Sequence, residues 1–274
     1  MTAAAIHLDL SPIKTRQQMT WASGDFSVVA SRLVLVSELL AEKADLRAGW
    51  HVLDVACGSG NAAIAAARSG AVAVGVDYVP ALLDRGRSRA SAEGLEIEFR
   101  LGDAERLPAD DASFDAVLSV FGTMFAPDHR RTADELVRVA KPGGVVGLAS
   151  WTPDGFIGQM FRVISRHVPP PADLPSPLLW GTPEHLAELF GGAAVEIRSV
   201  ERACTFRFTS PEEFVAFFRR WYGPTIKTFE ALDEPGRAAL ASELTDLGRR
   251  WDRQADGGSV AIPATYLETV ITLR

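Results

Sequence analysis

The chain predicts an α/β fold, a doubly wound and mostly parallel sheet of seven strands with helical cap insertions. Three observations carry this expectation. Over residues 52–151 short apolar runs alternate with helical runs, as in a parallel sheet whose crossovers are helices. A Gly-rich turn joins the first apolar run to the first of these helices. Beyond Trp151 the alternation stops, and prolines and aromatic residues take over.

The elements follow in order. Val28, Val29, Leu33, Val36, Leu39 and Leu40 stand near helical spacing and predict one helix from about Asp25 to Asp45. Strands are expected at Val52–Ala56, Ala71–Val76, Glu96–Leu101, Asp115–Val120 and Val145–Trp151. Helices are expected at Asn61–Arg68, Pro80–Glu93 and His129–Ala140. Later, Thr182-Pro183 reads as an N-cap with proline at the first helical position, and Ser210-Pro211-Glu212-Glu213 as a capping box. Val195–Phe208 and Tyr266–Leu273 complete the seven strands. The organisation expected is a lid region over residues 1–48, a ligand-binding core over 49–152, and remaining strands plus a substrate cap over 153–274.

Composition narrows the function classes. The chain has 274 residues and a hydrophobic fraction of 47%, enough for a sizeable core. Net charge is −7 and no long basic run offsets it, which argues against nucleic acid as a partner. Arg85, Arg87 and Arg89 read as a solvated helix face. No apolar run is long enough to span a membrane, and Met1–Leu10 lacks the pattern of a secretory leader. Cys57 and Cys204 form no disulfide framework and no metal-ligand spacing, so a cytoplasmic protein with reduced thiols and no catalytic metal is expected. Arginine far outnumbers lysine, a bias associated with GC-rich bacterial genomes. Nothing in the sequence sets the oligomeric state.

The informative segment is Val52-Leu53-Asp54-Val55-Ala56-Cys57-Gly58-Ser59-Gly60, a strand that ends in a Gly-rich turn and opens a helix. Glycine lets backbone approach a ligand closely, and the helix N-terminus offers free N–H groups to an anion. Taken alone, Gly58-x-Gly60-x-x-Ala63 with Asp77 one strand later also fits a dinucleotide site, so an NAD(P)-dependent oxidoreductase is a rival on these residues. Three further features shift the balance. Asp54 lies inside the first strand, where a dinucleotide site has an apolar residue. Leu101-Gly102-Asp103-Ala104 follows the third strand, where the Asp103 carboxylate and the Ala104 N–H suit the edge of an adenine ring. Ser113-Phe114-Asp115 leads into the fourth strand, and Lys141-Pro142-Gly143-Gly144 precedes the fifth.

With these motifs in this order, the stretch 52–151 resembles the class I S-adenosylmethionine-dependent methyltransferases, especially their quinone-biosynthesis-like and small-molecule group. The resemblance implies a Rossmann-like fold and S-adenosylmethionine as cofactor. It departs from the family pattern at Ala56, which stands where the first of three glycines is usual. It implies that Ala56 and Gly58 lie against the methionine part, that Asp77 binds the ribose hydroxyls, and that Tyr78 lies beside the adenine. Asp103 and Ala104 would hold the adenine edge, and Ser119 would supply backbone near the methionine amine. The segment Trp21–Phe26 resembles the group's N-terminal lid, with Trp21 or Phe26 closing over the cofactor.

Methyl transfer from a sulfonium is a displacement with an activated donor, so alignment and exclusion of water supply much of the catalysis. A general base is needed only where the nucleophile must lose a proton. Asp128 and His129, after the fourth strand, are the candidates, with His129 the catalytic choice. Asp128 equally fits a helix N-cap and His129 the residue after it. The acceptor is expected to be a small, partly apolar molecule methylated at oxygen, nitrogen or carbon. Phe121, Met124, Trp151, Trp180 and Tyr222 are its expected contacts. A chain of this fold that binds S-adenosylmethionine without transferring methyl is the alternative, since fold does not fix function.

Overall fold

The structure, a computed structural model, describes residues 11–172, 174–254 and 258–274. Met1–Leu10, where no leader is expected, lies outside them. Three helices open the described chain: α1 (Pro12–Ala22), α2 (Phe26–Ala30) and α3 (Val34–Lys43). The single helix expected over 25–45 is therefore broken at Ser31–Leu33. Leu35 and Leu39 lie exposed, so the apolar residues there do not form one continuous buried stripe. The sequence gives no expectation of α1, for a physical reason. Lys14 is its only buried residue, so it carries no apolar periodicity, and its start is marked only by the Ser11 cap and Pro12.

The alternating core follows as β1 (His51–Val55), α4 (Asn61–Arg68), β2 (Val72–Asp77), α5 (Pro80–Ala92), β3 (Ile97–Leu101), β4 (Phe114–Val120), α6 (His129–Val139) and β5 (Ala140–Trp151). The remaining elements are α7 (Phe156–His167), α8 (Pro183–Phe190), β6 (Ala194–Phe208), α9 (Pro211–Trp221), α10 (Gly223–Ala231), α11 (Glu234–Trp251) and β7 (Val260–Leu273). The sheet has seven strands in the order β3-β2-β1-β4-β5-β7-β6. The first five pair in parallel, and β7 runs antiparallel to both β5 and β6. This is the mostly parallel, Rossmann-like sheet expected.

β1 shows how the core forms. Val52 packs with Leu40, Ala62, Ala63 and Ala66 on one face, while Leu53 and Val55 pack with Leu136, Val139 and Met124 on the other. Both faces are covered, as a parallel sheet requires. The small side chains of α4 let that helix lie close to the strands. β7 begins six residues before the strand expected from Tyr266, and Pro263 hides this in the sequence. The proline is tolerated because β5 pairing ends at Tyr266, so only β6 flanks β7 there. Thr182 occupies the N-cap position of α8, yet its hydroxyl donates to the Leu179 carbonyl at 2.7 Å instead of capping the helix. Ser210 does cap α9, accepting from the Glu213 N–H at 3.1 Å.

Candidate functional site

The site grows from the carboxyl ends of β1, β2, β3 and β4, with α1 laid over them. The turn after β1 holds three residues in the left-handed region, Ala56 (φ 53°), Gly58 (φ 54°) and Gly60 (φ 81°). Ala56 pays about 1 kcal/mol for this conformation relative to glycine. Gly122 comes so close to the same turn that a Cβ there would lie 2.6 Å from the Ala56 carbonyl oxygen. Asp54 reaches from inside β1 to accept the Ala63 N–H of α4 at 2.9 Å. Burial raises its carboxyl to about 7, and the neighbouring Asp77 adds to the rise.

Asp77 ends β2. One of its oxygens accepts the Gly58 N–H and the other the Val79 N–H, each at 2.8 Å. Burial lifts this carboxyl to about 6, against the pull of those hydrogen bonds. Each carboxylate oxygen keeps a further lone pair, so the acid can still receive a ligand's hydroxyls. After β3, Asp103 accepts the Glu105 N–H at 3.0 Å through one oxygen. Its other oxygen lies 2.5 Å from the ammonium of Lys14, which also lies 2.5 Å from Glu105. Lys14 sits on α1, and Gln17 and Gln18 of that helix donate to the carbonyls of Phe125 and Tyr78.

A narrow cleft lies among these groups, lined by Trp21, Ala56, Gly58, Asp77, Tyr78, Asp103 and Ala104 and also by Lys14, Phe26 and Phe121. A second cavity of about 850 Å³ adjoins it, and Met124 and Tyr222 line this one. Trp21, Phe125, Ala126 and Pro127 line both spaces. Trp21 meets Phe26, Phe125 and Tyr222 edge to face, with centroids 4.9–5.6 Å apart. Phe121 takes the left-handed conformation (φ 54°) at the end of β4 and stacks on Trp151 at 3.7 Å. A bulky residue held there is a local strain of the kind that gathers at functional sites.

Four expected site residues, Ser119, Trp180, His129 and Trp151, line neither space. The Ser119 side chain is buried beneath the turn, its hydroxyl donating to the Val55 carbonyl and accepting the Thr123 N–H, which leaves open the backbone role expected of it. Trp180 is wholly buried against His129 and Phe190 and lines neither cavity, because the irregular segment before α8 folds it into the core. His129 meets His185 at 3.0 Å in a separate hollow with Glu188. Burial, followed by the His185 neighbour, lowers its imidazole to about 4. Asp128 caps α6 by accepting the Arg131 N–H, so the pair starts a helix. Trp151 lies behind Phe121 on a small aromatic recess.

The groups fit the cofactor expected from the sequence. The backbone of Ala56 and Gly58 leaves room for a close-lying ligand chain, Asp77 suits vicinal hydroxyls, and Asp103 suits an exocyclic amine, with Tyr78 and Leu82 as apolar wall. Sequence reasoning missed Lys14. For Lys14 the available signal was the Ser11-Pro12 helix start, which places it in the first turn of α1.

Comparison with known proteins agrees. A family model described as a methyltransferase domain matches residues 52–144. An uncharacterised protein of Mycobacterium tuberculosis is 41% identical over 246 residues, covering 88% of this chain and 89% of its own length. A demethylmenaquinone methyltransferase of Deinococcus radiodurans is 35% identical over 212 residues, covering 66% of this chain and 86% of its own. Among solved structures, the YcgJ protein of Bacillus subtilis matches with a TM-score of 0.60 at 18% identity, covering 87% of this chain and 98% of that one. Among the described residues no helix is long and apolar enough to cross a membrane.

Proposed function

Because the chain belongs to the class I S-adenosylmethionine-dependent methyltransferases, we propose that it methylates a small, partly apolar acceptor held in the larger cavity. The observation that carries this reading is the wall shared by cleft and cavity, formed by Trp21 and Phe125–Pro127. Because the two spaces adjoin along these residues, a methyl donor in the cleft and an acceptor in the cavity would lie side by side with water excluded.

When bound, the cofactor supplies a methyl group on a positively charged sulfur that leaves as a neutral thioether. The chain's own residues do the rest. Ala56 and Gly58 would lie against the methionine part, Asp77 would accept the ribose hydroxyls, and Asp103 would accept from the adenine amine. Trp21, Phe26 and Phe125 screen the reacting centre from water, so collisions with a correctly placed acceptor are productive. His129 takes no part as a base, since it faces His185 outside both spaces. Incubation with S-adenosylmethionine and a bacterial small-molecule extract tests the reading. It predicts a product one methyl heavier, with S-adenosylhomocysteine formed in equal amount. Tight cofactor binding with no methylated product from any extract would contradict it.

A further inference from the structure

The larger cavity is walled mostly by apolar side chains, and its charged lining is of one sign. Arg162 and Arg166 line it, and among the described residues no lysine, carboxylate or imidazole joins them there. The whole chain carries a net charge of −7, so this lining runs against the general balance of the protein. Both arginines stand on α7, four residues apart and therefore on one face of the helix.

Each guanidinium has donors to spare. Arg162 donates through one terminal nitrogen to Asp154 at 3.1 Å, and Arg166 through one to Glu243 at 2.6 Å. Neither acid lines the cavity. A guanidinium carries five N–H donors, and the other nitrogens of both side chains have no hydrogen-bond partner among the described residues. The two side chains are 51% and 63% exposed, so their present ion pairs hold them weakly. A carboxylate arriving from the cavity side finds the unused edge of each planar fork.

The helix also sets a length. Phe161, which precedes Arg162, meets Phe125 of the wall shared with the cofactor cleft, with ring centroids 6.1 Å apart. α7 then runs along the cavity, where Ser165 also lines it. At a rise of about 1.5 Å per residue, Arg166 stands roughly 7–8 Å farther along the axis than Phe161.

We propose that the acceptor is an elongated apolar molecule with a carboxylate at the end remote from the methylated atom, and that Arg162 and Arg166 bind this carboxylate. This rests on the methyl-transfer reading above and deepens it. An apolar cation meets two like charges and no acid to hold it. A neutral molecule gains nothing from the guanidiniums. The carboxylate also orients the acceptor, because with the acid held on α7 the other end is directed toward Trp21 and Phe125.

The test compares 4-biphenylacetate with 4-biphenylacetamide, which share a rigid apolar frame and differ in charge. Each is titrated calorimetrically at pH 7.5 into the full chain loaded with S-adenosylhomocysteine. The expected result is saturable binding of both, with the acid about tenfold tighter, the scale of two partly exposed ion pairs. Rising salt should narrow this preference. The double variant Arg162→Gln, Arg166→Gln should reduce it to within about twofold, with amide affinity and melting temperature little changed, since both side chains are more than half exposed. An amide that binds wild type as tightly as the acid, a preference that survives in the double variant, or no saturable binding of either compound would each overturn the proposal. Failure of S-adenosylhomocysteine to bind would instead overturn the cofactor reading beneath it.

Discussion

Replacing Asp77 with asparagine separates the fold's need for this side chain from the cofactor's. The wild-type carboxylate accepts two backbone N–H groups and is buried at a folded-state value of about 6, against an ordinary 3.8. At about 1.4 kcal/mol per tenfold, that difference is worth roughly 3 kcal/mol. Its sign is unfavourable to the folded state. Below pH 3.8 both states hold the proton, so the group contributes nothing. Between pH 3.8 and 6 the unfolded chain releases the proton while the folded chain keeps it, so stability falls as pH rises. Asparagine has no such titration, and it loses one charged acceptor while setting an amide N–H against a backbone donor, at about 1.5–3 kcal/mol. Near pH 7.5 the loss and the relief nearly cancel, so Asp77→Asn should lie within about 2 kcal/mol of wild type in urea unfolding. Its stability relative to wild type should improve by roughly 3 kcal/mol from pH 4 to pH 7. Cofactor binding should behave differently. S-adenosylhomocysteine should bind Asp77→Asn about 10- to 100-fold more weakly at pH 7.5 by calorimetry. Wild-type affinity should fall as pH drops through 6, when the carboxyl protonates, and the variant should lack this fall. Equal affinities for the two proteins, or a wild-type affinity that rises toward pH 5, would refute the reasoning.

Lys14→Met leaves Asp103 and Glu105 facing each other without their cation, and breaking a buried pair of this kind costs about 3–5 kcal/mol. Because Lys14 is the only buried residue of α1, the loss should appear as faster amide exchange in residues 12–22, and unchanged protection there would contradict the assignment. His129→Ala should lower stability by about 1–3 kcal/mol, yet leave turnover, read as S-adenosylhomocysteine release, within about twofold. A hundredfold fall in turnover would restore His129 as a base.

The sequence exposed the fold wherever periodicity and burial coincide. The run 52–56, the turn after it and the Ala-rich helix all read correctly because both faces of β1 are buried and the turn needs its glycines. The grouping of Asp77, Tyr78, Asp103 and Ala104 around one cleft was legible because parallel strands bring their carboxyl ends together. Lys14 was not legible, since a lysine buried by two carboxylates looks in sequence like any surface lysine. Trp180 and His129 were misplaced for the converse reason. Residue type suggested a pocket and a base, but only tertiary packing shows that one fills the core and the other faces His185.

The central claim is that the cleft beneath α1 takes S-adenosylmethionine. Calorimetric titration of the purified protein with S-adenosylmethionine, S-adenosylhomocysteine and NAD tests it most directly. The account predicts saturable binding of the first two at one site per chain and none of NAD, with binding lost or strongly weakened in Asp77→Asn. Binding of NAD with no response to either adenosyl compound would contradict it.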